Sequence, residues 1–356
     1  MSLAILGLGT SVPPCAISQA RAAEMTSKIS GHDVGQSDRL AFLYGLTGIT
    51  RRHVAILDEG ELIPDAVVGT EGGPSTGWRM RRYEESVVPV ARRAAEAALS
   101  QAGVAASAIT HLVTVSCTGF VAPGFDIRLI EGLKLDPSVQ RSHVGFMGCH
   151  GALNGLRVAR AFAASEPGCR LLLCAAELCS LHFSYGAEAD RSVPNALFAD
   201  GAAALVAAPS GEVASGPWRV VTNGSVLLPG TSDAMTWRIG DRGFVMTLSP
   251  EIPRLIRTHL RGWLERWLSP HGLSLADIFS WAVHPGGPKI LDAVQYALGL
   301  DKSALADSRE VLAGYGNMSS PTVLFILERL MRRDAQRPCV ALGFGPGLVI
   351  EAALIL

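Results

Sequence analysis

Val144-Gly145-Phe146-Met147-Gly148-Cys149-His150-Gly151-Ala152 is the stretch on which the reading of this chain turns. Apolar residues and glycine lead into a cysteine, and residues 150–165, rich in Ala, Leu and Val, follow with helical spacing. The segment predicts a sharp strand-to-helix turn, which flanking glycine permits because it has no Cβ. Such a turn puts Cys149 at or just before a helix N-terminus. There the unpaired N–H groups and the helix dipole favour thiolate over thiol. The alternative reading is a buried, inert cysteine.

On either side of this turn, apolar strand-like runs alternate with longer helical patterns, the mark of an α/β fold. Helices are expected over 86–103 and 126–132, with a strand over 111–115 between them. Strands follow at 170–176, 202–208 and 219–227, then a helix over 250–267 and a strand over 279–283. Helices at 289–298 and 321–332 and strands at 339–342 and 348–356 complete the order. The turn-like Pro209-Ser210-Gly211 suggests a boundary dividing residues 1–212 from 213–356. The two parts are similar in the order of their elements.

At 356 residues the chain exceeds the usual single-domain size of about 100–200. A net charge of −1 argues against a nucleic-acid binder, which carries a basic excess. The N-terminus lacks the basic region of a signal peptide, and no apolar run is long enough to span a membrane. Seven cysteines without a repeated spacing speak against a disulfide framework and for a reducing, cytoplasmic setting. Paired Cys-x-x-Cys or His-x-x-x-His motifs are missing from the sequence, so no structural metal is expected.

Two further loci carry chemistry. In Trp281-Ala282-Val283-His284-Pro285-Gly286-Gly287-Pro288-Lys289 a histidine ends an apolar strand where Pro-Gly-Gly-Pro stops the chain from running straight on. A polar residue on a loop over a rigid scaffold is a candidate for function, although a lone His is also often structural. In Gly314-Tyr315-Gly316-Asn317-Met318-Ser319-Ser320-Pro321 glycines frame an asparagine, and Ser320-Pro321 reads as a capped helix start. Together, Cys149, His284 and Asn317 suit acyl transfer. A thiolate paired with an imidazolium accepts an acyl group, and His and Asn N–H donors hold a thioester carbonyl as its enolate or oxyanion forms. Cysteine hydrolases of the papain type use the same trio, so these residues alone leave both open.

With their surroundings, these loci resemble the chalcone synthase-like, type III polyketide synthase family, in its bacterial form. The pieces that carry the resemblance are Gly148-Cys149, 196–203 (ALFADGAA), His284-Pro285-Gly286-Gly287-Pro288, Gly316-Asn317-Met318-Ser319-Ser320 and Gly343-Phe344-Gly345-Pro346-Gly347. The resemblance implies a thiolase-like αβαβα fold of two similar halves, a homodimer, and no cofactor beyond its substrates, malonyl-CoA and an acyl-CoA starter. Cys149 would be acylated, and His284 and Asn317 would bind the thioester carbonyl during malonyl decarboxylation. Phe198 matches the junction of the CoA tunnel and the cavity. Ser319 matches a cavity position, with a helix cap as the alternative. Gly286, Gly287 and Lys289 match contacts to the pantetheine arm, and Gly345 and Pro346 a loop beside the cavity. Arg51 and Arg52 are read as exposed surface rather than phosphate ligands.

This sequence departs from the plant pattern where the substrate sits. Met246 stands where plant enzymes have a second gatekeeping phenylalanine, and Cys117 and His182 where threonine is usual. A flexible Met widens tolerance, while His182 would narrow the pocket or add a polar contact. These changes point to an aliphatic acyl or malonyl starter and to a pyrone, resorcinol or naphthol product. A rival reading is a single-round ketosynthase of the kind that initiates fatty-acid synthesis. A cysteine hydrolase, or a binding protein on the same fold, comes further behind.

Overall fold

Nine strands, drawn from both parts of the chain, join in one sheet in the computed structural model, which describes residues 2–30, 32–57, 72–185, 189–213 and 218–356. Its order is β11 (Ser280–Val283), β12 (Cys339–Gly345), β13 (Val349–Ile355), β8 (Arg219–Leu227), β1 (Leu3–Ser11), β7 (Asp200–Pro209), β6 (Leu171–Leu178), β4 (His111–Ser116) and β5 (Gln140–Gly145). Two small sheets stand apart: β2 (Ala16–Ser18) with β3 (Arg51–His53), and the hairpin of β9 (Met235–Gly240) and β10 (Gly243–Leu248).

The helices among the described residues are α1 (Gln19–Ser30), α2 (Val34–Leu46), α3 (Thr76–Ala102), α4 (Phe125–Leu133), α5 (Gly151–Ser165), α6 (Ala189–Leu197), α7 (Ile252–Leu268), α8 (Pro288–Leu298), α9 (Ala306–Tyr315) and α10 (Thr322–Arg332).

Period-two alternation explains the layers. In β6, Leu171, Leu173 and Ala175 pack inward with Leu153 and Leu156 of α5 and Val323, Leu324 and Leu327 of α10. Their neighbours Leu172, Cys174 and Ala176 face the other way, onto Val87, Val90, Ala91 and Ala94 of α3 and Phe125 and Leu129 of α4. In the C-terminal half, Val340 and Leu342 of β12 and Leu354 of β13 meet α7 and α8 through Ile256, Leu260, Leu291 and Val294. The strands β6, β7 and β12 are buried along their whole length, as strands covered on both faces must be. This is the thiolase-like αβαβα layering, with α5 and α10 in the middle.

One boundary differs from expectation by ten residues. The helix expected from 86 begins at Thr76, capped by Ser75, whose Oγ accepts from the Trp78 N–H at 3.3 Å, and it stops at Gly103 with φ of 62°. Its first turns carry no apolar periodicity. Arg79 is wholly buried there, its guanidinium donating to the carbonyls of Pro74, Leu181 and Phe183. The helices α1 and α2 and the β9–β10 hairpin were likewise not marked by periodicity.

Candidate active site

The turn that carries Cys149 is a short 3-10 segment, Gly148–His150, running straight into α5. Two residues leading to the cysteine hold positive φ: Phe146 at 56° and Gly148 at 75°. Glycine at 148 is required twice, because a Cβ there would also lie 2.5 Å from Cδ of Pro346. Pro346 therefore braces the turn from the far end of β12. Cys149 is buried at 5% exposure.

Asn317 and Phe198 are tied by an isolated parallel bridge. The Asn317 N–H donates to Leu197 O and the Ala199 N–H to Asn317 O, both at 2.9 Å. The Ser319 N–H donates to Asn317 Oδ1 at 2.8 Å, which turns the amide so that Nδ2 is its outward donor. The side chains of Ser319 and Asn317 both act to lower the pKa of the Cys149 thiol. Ser319 sits at φ of 58°, and its Oγ lies 3.7 Å from Cys117 Sγ. The alternative role for Ser319, and the capping role for Ser320, are not what the structure holds. Pro321 occupies the cap position without a side-chain bond, and Ser320 Oγ donates to Glu177 Oε1 at 2.6 Å.

His284 follows β11 directly, its N–H donating to Leu342 O of β12 at 2.8 Å. Its ring is buried, and neither ring nitrogen has a hydrogen-bond partner among the described residues. Burial pushes the Cys149 thiol up to about 11 against the pull of Ser319 and Asn317. Burial, helped by His150, pushes His284 down to about 3. Burial thus works against the thiolate–imidazolium pair expected from the sequence, because desolvation disfavours the charged form of each partner.

Glu177 is the residue that sequence reasoning missed. It is fully buried at the end of β6 and accepts from the Cys117 N–H (2.9 Å), Thr118 Oγ1 (2.7 Å), Ser116 Oγ (3.3 Å) and Ser320 Oγ (2.6 Å). Burial raises its pKa while these donors oppose the rise. The available signal was a carboxylate inside an otherwise apolar run, Leu171-Leu172-Leu173-Cys174-Ala175-Ala176-Glu177-Leu178.

Beside Gly148, the residue before the nucleophile, lies a chamber partly open to solvent. Its lining includes Gly148, Cys117, Phe198, Ser319, His182 and Met246, and it extends to Met25 and Ile29 of α1. His182 is no free polar contact, however. Its Nε2–H donates to Thr118 O at 2.7 Å and its Nδ1 accepts the Phe244 N–H at 3.0 Å, so both nitrogens are engaged. The ring stacks on Phe244 at 4.1 Å and pins the β9–β10 hairpin to the chamber. Trp237 of that hairpin, also lining, donates its indole N–H to Cys117 O at 2.8 Å.

Of the other sequence candidates, Arg52 is part of that lining, whereas Cys149, His284, Asn317, Gly286, Gly287, Lys289, Gly345 and Pro346 are not. Gly286 and Gly287 open α8, with Leu197 at van der Waals distance from Gly287, and Lys289 is exposed in its first turn. Gly345 leaves room for the ring of His150. Arg51 is exposed, as expected, but Arg52 is buried and donates to the carbonyls of Asn195 and Phe198. The expectation of a surface Arg52 fails because backbone carbonyls satisfy its guanidinium inside.

Against this geometry, comparison with known proteins gives consistent results. The N-terminal domain of chalcone and stilbene synthases matches residues 2–210, and the C-terminal domain matches 219–356. An alpha-pyrone synthesis polyketide synthase-like protein, Pks18 of Mycobacterium tuberculosis, is 32% identical over 98% of this chain and 90% of its own length. The 1,3,6,8-tetrahydroxynaphthalene synthase of Streptomyces peucetius subsp. caesius is 34% identical over 99% of this chain and 92% of its own. Among solved structures, PKS-I from the brown alga Ectocarpus siliculosus superposes with a TM-score of 0.93 at 32% identity, covering 99% and 98% of the two chains.

Proposed function

The chain belongs to the chalcone and stilbene synthase family, and from that membership we propose how its chamber works as a type III polyketide synthase. Enzymes of this type are acyltransferases that condense malonyl units onto an acyl starter with loss of CO2. In our reading Cys149 carries the growing chain. An acyl-CoA enters, His284 takes the Cys149 proton, and the sulfur attacks the thioester carbonyl. The C–S bond to CoA breaks, CoA leaves as the thiol with the proton from His284, and the acyl group stays on Cys149 as a thioester. Malonyl-CoA then binds with its thioester carbonyl between His284 and the Asn317 Nδ2. Its C–C bond to the carboxylate breaks, CO2 leaves, and the electron pair rests on the carbonyl oxygen as an enolate. The enolate carbon attacks the Cys149 thioester, making the new C–C bond and freeing the sulfur for the next round.

The observation that carries this reading is the fixed amide of Asn317. With Oδ1 held by the Ser319 N–H, the amide has its Nδ2 donor left to offer, and the Asn317 side chain lowers the Cys149 pKa as a donor does. Decarboxylation drives the condensation, so the chemistry calls for no metal or cofactor.

We read the starter as aliphatic or malonyl. The chamber walls are largely apolar, and the ring nitrogens of His182 are unavailable to a polar starter. The product would be a pyrone, resorcinol or naphthol. CoA would approach past Gly286, Gly287 and Lys289, where the N-terminus of α8 adds its dipole to the lysine in favour of an anion. The protein would be a cytoplasmic homodimer. Strand β5 is an unpaired sheet edge, and beside it Phe120 and Met147 are exposed. No helix among the described residues is long and apolar enough to cross a membrane. Incubation with malonyl-CoA and a panel of acyl-CoA starters, read by mass spectrometry, tests the reading. Products with several malonyl units per starter support it, and a lone β-ketoacyl product supports the single-round rival.

A further inference from the structure

His150, directly after the nucleophile, has no part in the reaction as written, yet it is buried in the same wall. Its Nδ1 lies 2.7 Å from Asn154 Oδ1, an acceptor, so Nδ1 carries the proton and Nε2 is left as a lone-pair acceptor. That Nε2 is buried and has no partner among the described residues.

The sheet shows where it points. A Cβ on Gly343 would lie 2.9 Å from His150 Cβ, and one on Gly345 would lie 2.6 Å from Nε2. Residues 343 and 345 share a face of β12, so His150 covers that face. β11 runs parallel to β12 with Val283 opposite Leu342, which puts His284 opposite Gly343. Residues paired across parallel strands project to the same side, and neighbouring strands are about 4.8 Å apart. The imidazoles of His150 and His284 therefore occupy one face, a strand apart. Glycine at 343 and 345 makes room for the first of them.

When His284 takes the Cys149 proton it becomes an imidazolium with two N–H donors. One faces the reacting thioester. The other is buried and needs an acceptor. We propose that His150 is a positioning residue whose Nε2 accepts this second N–H, directly or through one water, and so orients and stabilises the His284 imidazolium. A base held by a third group is a general feature of activated nucleophiles. The proposal rests on the assignment of Cys149 and His284 to the reaction. Other groups around His150 fit a neutral acceptor. Glu351 on β13 and Arg157 on α5 pair with each other, and their opposite charges act on the ring in opposite directions. Burial keeps the ring neutral, which an acceptor requires.

The test is single-turnover acylation of Cys149 by an acyl-CoA, with steady-state condensation beside it, in the full chain. His150→Phe fills the same space without an acceptor. It should slow acylation and kcat by about tenfold or more, the worth of one hydrogen bond to a charged group, with KM within about twofold. His150→Gln restores an acceptor and should recover most of the rate. His150→Phe at wild-type rate, or His150→Gln as slow as His150→Phe, overturns the proposal. A readout without substitution is 15N NMR of the wild-type imidazoles. A neutral, Nδ1-protonated His150 between pH 6 and 8 is expected, and an Nε2-protonated or cationic ring contradicts it. Cys149→Ala separates the two levels. Continued acylation of that variant overturns the assignment of Cys149, whereas its loss together with an unaffected His150→Phe overturns only the role of His150.

Discussion

Gly148→Ala is the substitution for which the structure gives the most explicit cost. Two penalties apply at that position. The backbone sits at φ of 75°, where an L-residue costs roughly 1–2 kcal/mol. The new methyl would also lie 2.5 Å from Pro346 Cδ, an overlap whose relief by moving backbone or ring costs about 1–3 kcal/mol. Together they make about 2–5 kcal/mol. For 356 residues, at about 2.1 cal/mol/K per residue, that corresponds to a drop of roughly 3–7 °C in Tm. Because the turn holds Cys149, any relief displaces the sulfur, and a shift near 1 Å costs about 100-fold in rate.

Gly168 is an internal control. Its φ is 78°, but a Cβ there meets nothing within 4 Å, so Gly168→Ala carries only the first penalty. Differential scanning calorimetry and condensation rates should rank Gly148→Ala well below Gly168→Ala in both stability and activity. Adding Pro346→Ala to Gly148→Ala should recover part of the stability, as a double-mutant cycle reads. If Gly148→Ala matched Gly168→Ala in Tm and kept wild-type kcat, the argument that Pro346 braces the nucleophile turn would be wrong.

Other outcomes follow from the same geometry. Glu177→Ala strips the acceptor from the Cys117 N–H, which cannot rotate away, at a cost of about 1–3 kcal/mol for that donor alone. Glu177→Gln keeps an acceptor and should lose less, and thermal unfolding of the pair checks the order. Labelling of Cys149 by iodoacetamide in the free protein, read on its peptide, should climb about tenfold per unit from pH 7 to 9. The buried thiol is raised to about 11, so the thiolate is the minor form throughout that range and grows with pH. A plateau already reached at neutral pH would show a resting ion pair instead.

The parts of this fold that are local in sequence were legible. The turn at Cys149 is spelled by residues within a few positions of it, although its brace, Pro346, is distant, and strands such as Leu171–Leu178 are long buried runs. Boundaries there fall within a few residues of expectation. What was hidden depends on chain ends meeting from far apart. Glu177 gathers donors from 116–118 and 320, and His182 joins residues 118 and 244, pairings that no window of sequence displays. The effect of burial on Cys149 and His284 was hidden for a related reason. A helix N-terminus can be read from sequence, but the desolvation that opposes it is a property of the packed interior. Helix α2 shows only Leu40 and Tyr44 to the core, too few to set a period.

Every step of the proposed reaction passes through one sulfur. The most direct test is to incubate the wild-type protein briefly with an acyl-CoA, quench in acid, digest, and locate the acyl group by tandem mass spectrometry. The acyl mass is expected on the peptide bearing Cys149, removable by hydroxylamine and missing in Cys149→Ala. An acyl group found on Cys117 or another residue, or the same labelling in Cys149→Ala, would contradict it.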